Sequence, residues 1–390
     1  MLRITIYFLV LFYPLFTYAK DKICLNMIVK NESEVIKRCL DSVKPHIDYW
    51  VIVDTGSTDG TQKIIKNYMK GIPGKLYERP WKNWGETRTE ALNLAQGKGD
   101  YILFMDADDI LEFQDGKAFE KLTEDLYEMW RGSNSFSYLK TQLVKDGLPW
   151  KWVGVTHEYL DSTRPYTSGI LNNVRYLSLD GGATWKDPKQ KFLKNVELLE
   201  AGLKKEPTNA RYAFYLAESY RDAGEKAKAL EWYQKRIKMG GWAEETFYST
   251  LQAACMLKEL GLPPPVLIEA YQAAFRIRPH RAESIYFLAE LFIEQGNYAQ
   301  AYTLLKTREL IIQPAEKDKL FNMNWIEDYG LTFQLSICSY YIDKNEEGLA
   351  ACTALLANPN LPESWRTQTE KNRQFYLIKL EELNQKTLKM

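Results

Sequence analysis

The chain has 390 residues, room for two domains at roughly 150 residues each. Its 51 basic and 51 acidic residues cancel, which removes the positive field that nucleic-acid binders use, so no nucleic-acid partner is expected. With 45% hydrophobic and 26% charged residues the composition is that of a soluble globular protein, and the five scattered cysteines, without CxxC or Cys/His spacing, read as reduced core thiols, not a zinc site.

In chain order, Met1-Leu2-Arg3 precede an apolar run from Ile4 to Ala19, which ends in Thr17-Tyr18-Ala19 before the charged Lys20-Asp21-Lys22. The run is short for a membrane span and has a small residue at the cleavage position, the pattern of a signal peptide, with an uncleaved N-terminal anchor as the alternative. Export or tethering therefore rests on residues 1–19 alone, and a cytoplasmic location is the competing reading. Membrane association is expected only through this segment.

From Ile23 short apolar strands alternate with amphipathic helices. ICLNMIVK (23–30) predicts a buried strand, and Asn31 with Glu34 three residues on predicts a capped helix that buries Val35, Ile36, Cys39 and Leu40. DYWVIVD is the second strand, and Thr58-Asp59-Gly60-Thr61 opens a helix with Ile64, Ile65 and Tyr68 facing in. KLYERP, ETRTEALNLAQ and DYILFMDAD read as strand, helix and strand. Four strands and three helices with short connections predict a mostly parallel sheet with right-handed crossovers.

From about Asp187 the pattern is helical only. Leu216, Ala217, Tyr220, Ala229 and Tyr233 recur at identical spacing as Leu288, Ala289, Phe292, Ala301 and Leu305. Small residues let paired helices approach and large ones fill the seam, while AYQAAFRIRP (270–279) has the second-helix pattern of a further copy. This resembles the tetratricopeptide repeat, whose hairpins stack because none can bury its own face. The expected layout is an N-terminal signal or anchor at 1–19, an α/β domain at 22–186 and a tetratricopeptide-like α-helical domain at 187–390.

The chemistry gathers at strand ends. VIVDTGSTDG (51–60) runs from an apolar strand into aspartates and a glycine-rich turn, the place where an open α/β sheet holds its ligand. Asp106-Ala107-Asp108-Asp109 closes the strand YILFM, and its hard oxygens suit Mg²⁺ or Mn²⁺ shared with substrate phosphates. On its own the tripeptide also reads as an acidic turn that caps a helix.

Four stretches in order, MIVKNE (27–32), VDTGSTDGT (53–61), Arg88 with Glu90-Ala91-Leu92, and YILFMDADD (101–109), resemble the family 2 glycosyltransferases of the GT-A fold. The resemblance spans roughly 85 residues and is specific as an ordered set. It implies a GT-A, Rossmann-like domain that binds a nucleotide-diphosphate-sugar donor. By position, Lys30, Asn31, Glu32 and Asp54 would line the base and ribose pocket and Asp106 would face the ribose. Asp108 would ligate Mn²⁺ or Mg²⁺, Asp109 would help it or cap a helix, and Arg88 would lie near the nucleotide. The chain departs from the family pattern at Thr55, where an aspartate is common, and at Thr89, where asparagine is usual; both put the identity of the donor base in doubt.

An inverting transfer to a glycan or protein acceptor needs a general base. Glu158 in WVGVTHEYL is the preferred candidate and Asp180 before Gly181-Gly182 its competitor, with Asp187 a third carboxylate nearby. His157 would complete the metal shell or touch phosphate, although an ordinary strand-end histidine is equally consistent with the pattern. Trp84 is taken as a sugar-stacking residue from a group with Trp81, Trp150, Trp152 and Trp185, against the commoner role of tryptophan in a core. Lys186, Lys189 and Lys191 are within reach of a diphosphate or form a solvated helix start. Tyr220, Arg221 and Asp222 are polar for a packing turn, and set an acceptor groove on the repeats against a structural ion pair. The competing function is a repeat-based protein-binding scaffold with a retired enzyme domain. Asn31-Glu32-Ser33 is a formal glycosylation sequon inside the expected donor pocket, which sits poorly with a eukaryotic secretory route.

Overall fold

The computed structural model describes residues 20–114, 119, 121–179, 181–182 and 186–387. The apolar N-terminal run, Asp180 and Trp185 lie outside the described residues. No described helix is long and apolar enough to cross a membrane. All five cysteines are free, with Cys24, Cys39, Cys338 and Cys352 buried.

Strand β1 (Ile23–Val29) is buried along its whole length, as a strand covered on both faces must be. Ile23, Leu25, Met27 and Val29 face one side and pack on Ile36, Cys39 and Leu40 of α1 (Ile36–Val43) and Ile65 of α2 (Thr61–Tyr68). Cys24 faces the other side, with Leu92 and Ala95 of α3 (Trp84–Ala95) and the buried Trp150 and Trp152. Asn26 is polar in this apolar run because its amide donates to the Ala91 carbonyl at 2.9 Å, which ties α3 to the sheet. β2 (Tyr49–Asp54), β3 (Gly74–Glu78) and β4 (Tyr101–Phe104) continue the parallel set, with β2 and β4 flanking β1 and β3 outside β2.

The rest of the sheet is mixed. β5 (Ile110–Phe113), β6 (Leu126–Gly132), β7 (Ser137–Lys145) and β10 (Ser168–Leu177) complete eight strands in the order β3-β2-β1-β4-β7-β6-β10-β5. β7 runs antiparallel to β4 and β6, β10 parallel to β6, and β5 antiparallel to β10. A separate hairpin, β8 (Trp150–Val153) with β9 (Tyr159–Ser162), packs against α3.

Two expected local structures differ. Asn31 does not cap α1: its backbone is left-handed at φ +57° and its side-chain oxygen accepts from the Thr58 amide at 2.8 Å, so the helix begins later, after Val35. The same contact uses the side-chain oxygen of the sequon asparagine as its acceptor. Asp109 caps no helix either, because the alternating ILEF that follows forms β5.

The helical half starts at α4 (Pro188–Lys205), whose N-terminus is capped by Asp187 accepting from the Gln190 amide at 3.0 Å. Hairpins follow: α5 (Ala210–Asp222) with α6 (Lys226–Met239), α7 (Ala243–Glu259) with α8 (Pro264–Ile277), α9 (Glu283–Glu294) with α10 (Tyr298–Arg308), and α11 (Leu331–Tyr341) with α12 (Asn345–Ala357), then the long α13 (Glu363–Thr387). The matched positions are the seam: Leu216, Ala217, Ala229 and Tyr233 are fully buried, as are Ala289 and Ala301 in the later copy. Tyr271 and Ala274 of α8 are buried in the same way.

The halves are stitched by backbone. Between α10 and α11 the chain returns to β7, where the Leu139 amide donates to the Lys319 carbonyl (2.8 Å) and Ser137 and Asn322 exchange amide bonds of 3.0 and 2.7 Å. Buried charges hold this return in place. Glu244 accepts from the Lys319 and Leu320 amides at 2.8 and 2.7 Å, and Arg281 donates to the Leu320 and Phe321 carbonyls at 3.1 and 2.9 Å.

Candidate active site

The carboxyl ends of β1, β2 and β4 lie side by side, since Val29 is in register with Asp54 and Asn26 with Phe104. At the end of β2 the Asp54 carboxylate is buried. Its Oδ1 accepts from the Gly56 amide (2.9 Å), the Ser57 amide (2.8 Å) and the Gln62 side chain (3.1 Å), while Oδ2 has no protein hydrogen-bond partner. A buried carboxylate oxygen without a donor is costly, and a donor group brought to it would relieve that cost. Gly56 at φ +103° makes the tight turn possible. Thr55 turns its hydroxyl back to donate to the Val29 carbonyl at 3.2 Å, so a hydrogen-bond donor is what this spot accommodates.

Beside this pocket, Lys30 is exposed, and Asn31 and Glu32 are half-buried. The Asn31 amide donates to the Ser57 hydroxyl (2.8 Å) and the Glu32 amide to the Thr61 hydroxyl (2.9 Å), which fastens the end of β1 to the turn after β2. Trp84, in the first turn of α3, packs edge-on against Trp81 and lies 5.6 Å from the Arg88 guanidinium. Trp150 and Trp152 are core residues.

The acidic turn after β4 is sorted by its partners. Asp106 Oδ1 pairs with Arg88, and Oδ2 with Arg131 at 2.9 Å; the Lys140 ammonium lies 3.7 Å away, beyond hydrogen-bond reach. Its own amide donates to the buried Tyr176 hydroxyl at 2.8 Å. Burial pushes the Asp106 carboxyl up, but Arg88, Lys140 and Arg131 together outweigh it and hold it well below the usual carboxylate range. Asp109 is fully buried and pairs with Arg131 at 2.6 Å; burial, aided by Asp106 and Asp108 and opposed by Arg131, pushes it up to about 6.

Asp108 differs from both neighbours. No ion pair among the described residues reaches its carboxylate, and burial followed by Asp106 pushes its pKa up. Gly182 lies directly against it: a Cβ there would stand 2.5 Å from Asp108 Oδ2. The chain from Leu179, whose amide donates to Asp109 at 3.3 Å, therefore runs close over the acidic turn.

This donor set fits a hard divalent cation of limited protein coordination. Asp108 is half-buried and has no ion pair among the described residues, which contain no cluster of three or more ligand side chains that would enclose an ion. A cation here would take most of its ligands from phosphate and water.

Arg88 is the hinge of the charge network. Its Nη2 holds Asp106 and its Nε lies 2.6 Å from Glu158 Oε1, so one buried guanidinium joins the acidic turn to the base candidate. His157 is elsewhere. Its ring stacks face to face on Tyr215 of α5, with centroids 4.1 Å apart and planes 3° from parallel. Although its edge is open to solvent, the crowded cleft and then Arg211, Lys140 and Lys191 hold the imidazole below its usual range, in the neutral form. Tyr220 and Arg221 are occupied structurally, by Glu200 (2.5 Å) and by Glu218 and Asp222 (2.9 and 2.8 Å).

Arg131 and Lys140 did not emerge from the sequence. Arg131 is next to last in β6 and Lys140 lies inside β7, and the signal was present as single cations within the strand segments MWRG and YLKT. Burial pushes the Lys140 ammonium down despite Asp106, so it is a cation held in a partly desolvated place.

Comparison with known proteins follows this geometry. Residues 24–148 match the model of the family described as glycosyl transferase family 2. A TPR repeat-containing protein of Synechococcus elongatus is 24% identical over 314 residues, covering 73% of this chain and 74% of the relative. The SPbeta prophage-derived glycosyltransferase SunS of Bacillus subtilis is 25% identical over 229 residues, covering 55% of this chain and 53% of the relative, so the match spans about half the length of that protein. Among solved structures, a tetratricopeptide repeat protein from Parabacteroides merdae aligns at 17% identity with a TM-score of 0.36, over 50% of this chain and 68% of its own.

Proposed function

We propose that this chain, whose residues 24–148 match glycosyltransferase family 2 and which continues into tetratricopeptide-like repeats, transfers a sugar from a nucleotide-diphosphate donor to a glycan or protein acceptor, with inversion. The observation that carries the reading is the unpartnered Asp54 Oδ2 and, at the neighbouring strand end, the Asp108 carboxylate without an ion pair among the described residues, next to an Asp106 fixed by two arginines. Asp54 takes a donor group of the base or ribose, with Lys30, Asn31 and Glu32 forming the pocket edge. Asp106 faces the ribose, and Trp84 is placed to meet the sugar end. Asp108 holds Mn²⁺ or Mg²⁺, and His157, whose ring is stacked on Tyr215, is not assigned to that ion. When bound, that ion neutralises charge on the departing diphosphate.

Glu158 is the proposed base. Its side chain is only 6% exposed and its Oε1 lies against Arg88 Nε as an ion pair without hydrogen-bond geometry, which leaves its lone pairs for an acceptor hydroxyl. Deprotonation of the acceptor by Glu158 then proceeds on the side of the site away from the leaving group. Asp180 remains the alternative carboxylate. The repeats position the acceptor or a protein partner.

The test is donor hydrolysis across a panel of UDP- and GDP-sugars, with and without Mn²⁺, comparing wild type with Asp108→Asn and Glu158→Gln. Turnover should require the metal and fall at least about 100-fold in Asp108→Asn, a loss of ~2.7 kcal/mol of transition-state stabilisation. Metal-independent turnover would defeat the metal assignment. Wild-type turnover by Glu158→Gln would move the base to Asp180.

A further inference from the structure

The five residues between β8 and β9 carry Glu158 in an unusual backbone. Gly154 has φ +118° and His157 has φ +50°, a left-handed conformation that a non-glycine residue keeps only where its surroundings impose it. Two walls impose it. On one side, the N-terminus of α3 abuts the loop: the Trp84 amide donates to the Val155 carbonyl at 3.3 Å, and a Cβ on Gly85 would come within 2.3 Å of the Gly154 carbonyl.

The other wall belongs to the repeats. Arg211 of α5 donates from Nε (3.1 Å) and Nη2 (3.0 Å) to the carbonyl of His157, the bond that leads into Glu158. Its guanidinium lies 4.8 Å from the Tyr215 ring centre and 5.2 Å from that of Tyr159, and Tyr215 carries the stacked His157 ring. A planar cation held between two aromatic faces is a stiff support, because stacking fixes its plane while the fork fixes its direction. Thr156 adds a weaker link to Asn195 of α4 at 3.4 Å.

We infer that Arg211 and Tyr215 are positioning residues: the first repeat clamps the 154–158 loop, and so sets the place of Glu158 in a site otherwise built by the sheet. This rests on the reading of Glu158 as the base. The catalytic centre is then bipartite, completed by a helix that begins 52 residues after Glu158 at Ala210.

The test uses the full chain and two measurements. Amide hydrogen exchange reads the clamp without any substrate. In Arg211→Ala and Tyr215→Leu, amides of 154–158 should exchange at least about tenfold faster while those of β1 and β2 keep the wild-type rate. Steady-state hydrolysis of the best donor from the UDP- and GDP-sugar panel should show kcat reduced at least about tenfold with KM within about twofold. Tyr215→Phe, which keeps the stack, should restore both readouts, and Arg211→Lys should restore them in part. Arg276→Ala, which removes an exposed pair with Glu269, serves as a repeat-domain control and should change neither. Wild-type exchange in the loop, a loosened loop with full kcat, or acceleration spread equally over β1 and β2 would each overturn the inference. If Glu158→Gln turns over normally while the loop still loosens in Arg211→Ala, the base assignment fails and the clamp stands as a structural fact without the positioning role.

Discussion

Replacing Arg131 with methionine is the sharpest probe of the buried charge network. Methionine keeps the aliphatic bulk against Tyr176, whose ring centre lies 4.9 Å from the guanidinium. Asp106 keeps Arg88 and Lys140, but Asp109 keeps only the Leu179 amide at 3.3 Å. Breaking a buried pair by removing one partner costs ~3–5 kcal/mol. Because Asp109 already sits at about 6, it escapes part of this by binding a proton, and ~3 kcal/mol is expected at pH 7. The sign follows from its raised pKa. A carboxyl whose folded pKa lies above its unfolded value gives its full stability below the unfolded pKa and loses it as pH rises through the folded one. Deleting Arg131 moves the folded pKa further up, so the variant suffers most at neutral pH and regains up to ~1.4 kcal/mol between pH 7 and about 6, where wild-type Asp109 is still charged, with little further change toward pH 5. Asp106 is shifted the other way, and its stability is lost only as pH falls below the ordinary carboxylate range. Urea denaturation followed by near-UV dichroism at pH 7 and pH 5, with the double variant Arg131→Met/Asp109→Asn, measures the coupling. A loss under ~1 kcal/mol at pH 7, a larger loss at pH 5, or no recovery in the double variant would refute the reasoning.

Three further outcomes are expected. Gly182→Ala should displace the Asp108 carboxylate by its new Cβ, 2.5 Å from Oδ2, and lower donor turnover about tenfold with an unchanged melting temperature; wild-type kinetics would show that Asp108 is not confined there. Thr55→Asp, which restores the residue common in the family, should destabilise by ~2 kcal/mol in urea, because a carboxylate replaces the hydroxyl that donates to the Val29 carbonyl. A neutral or stabilising result would mean that the pocket accepts the charge. Glu244→Ala strands the Lys319 and Leu320 amides and should cost ~2–3 kcal/mol, seen as faster tryptic cleavage between α10 and α11; an unchanged cleavage rate would contradict the role given to Glu244.

The sequence was most informative where local pattern and burial coincide. β1 and β2 are legible because both faces are covered and no polar alternation interrupts them; Asp54, Asp106 and Asp108 stand out as candidates because strand ends present side chains to a crevice, whereas Arg88, inside α3, is singled out only by the family resemblance. The repeats were legible because a stacked seam demands the same small and large residues in every copy. What failed was non-local. Asn31 and Glu34 have capping-box spacing, but the Thr58 amide, brought in by β2, competes for the Asn31 oxygen and wins. Arg131 and Lys140 meet Asp106 only through the antiparallel pairing of β6 and β7 with each other and of β7 with β4, which no short window of sequence contains. The Asp318–Asn322 stretch carries no signal of its own in the sequence because its partners, Glu244, Arg281 and β7, are far away in the chain.

That return of the chain to β7 also settles what the α/β half can do without. β4 is short and pairs with β7 only at Leu143–Lys145, so the Ser137–Leu139 stretch would otherwise be a bare edge facing away from β6. Lys319 and Asn322 cover it. A chain cut after Lys186 would expose open strand backbone beside Tyr138 and Phe136, which now pack against Phe321. Uncovered apolar edges recruit other strands. The boundary that looks natural along the sequence is therefore one across which the folded molecule is sewn, and the severed half is expected to associate edge to edge.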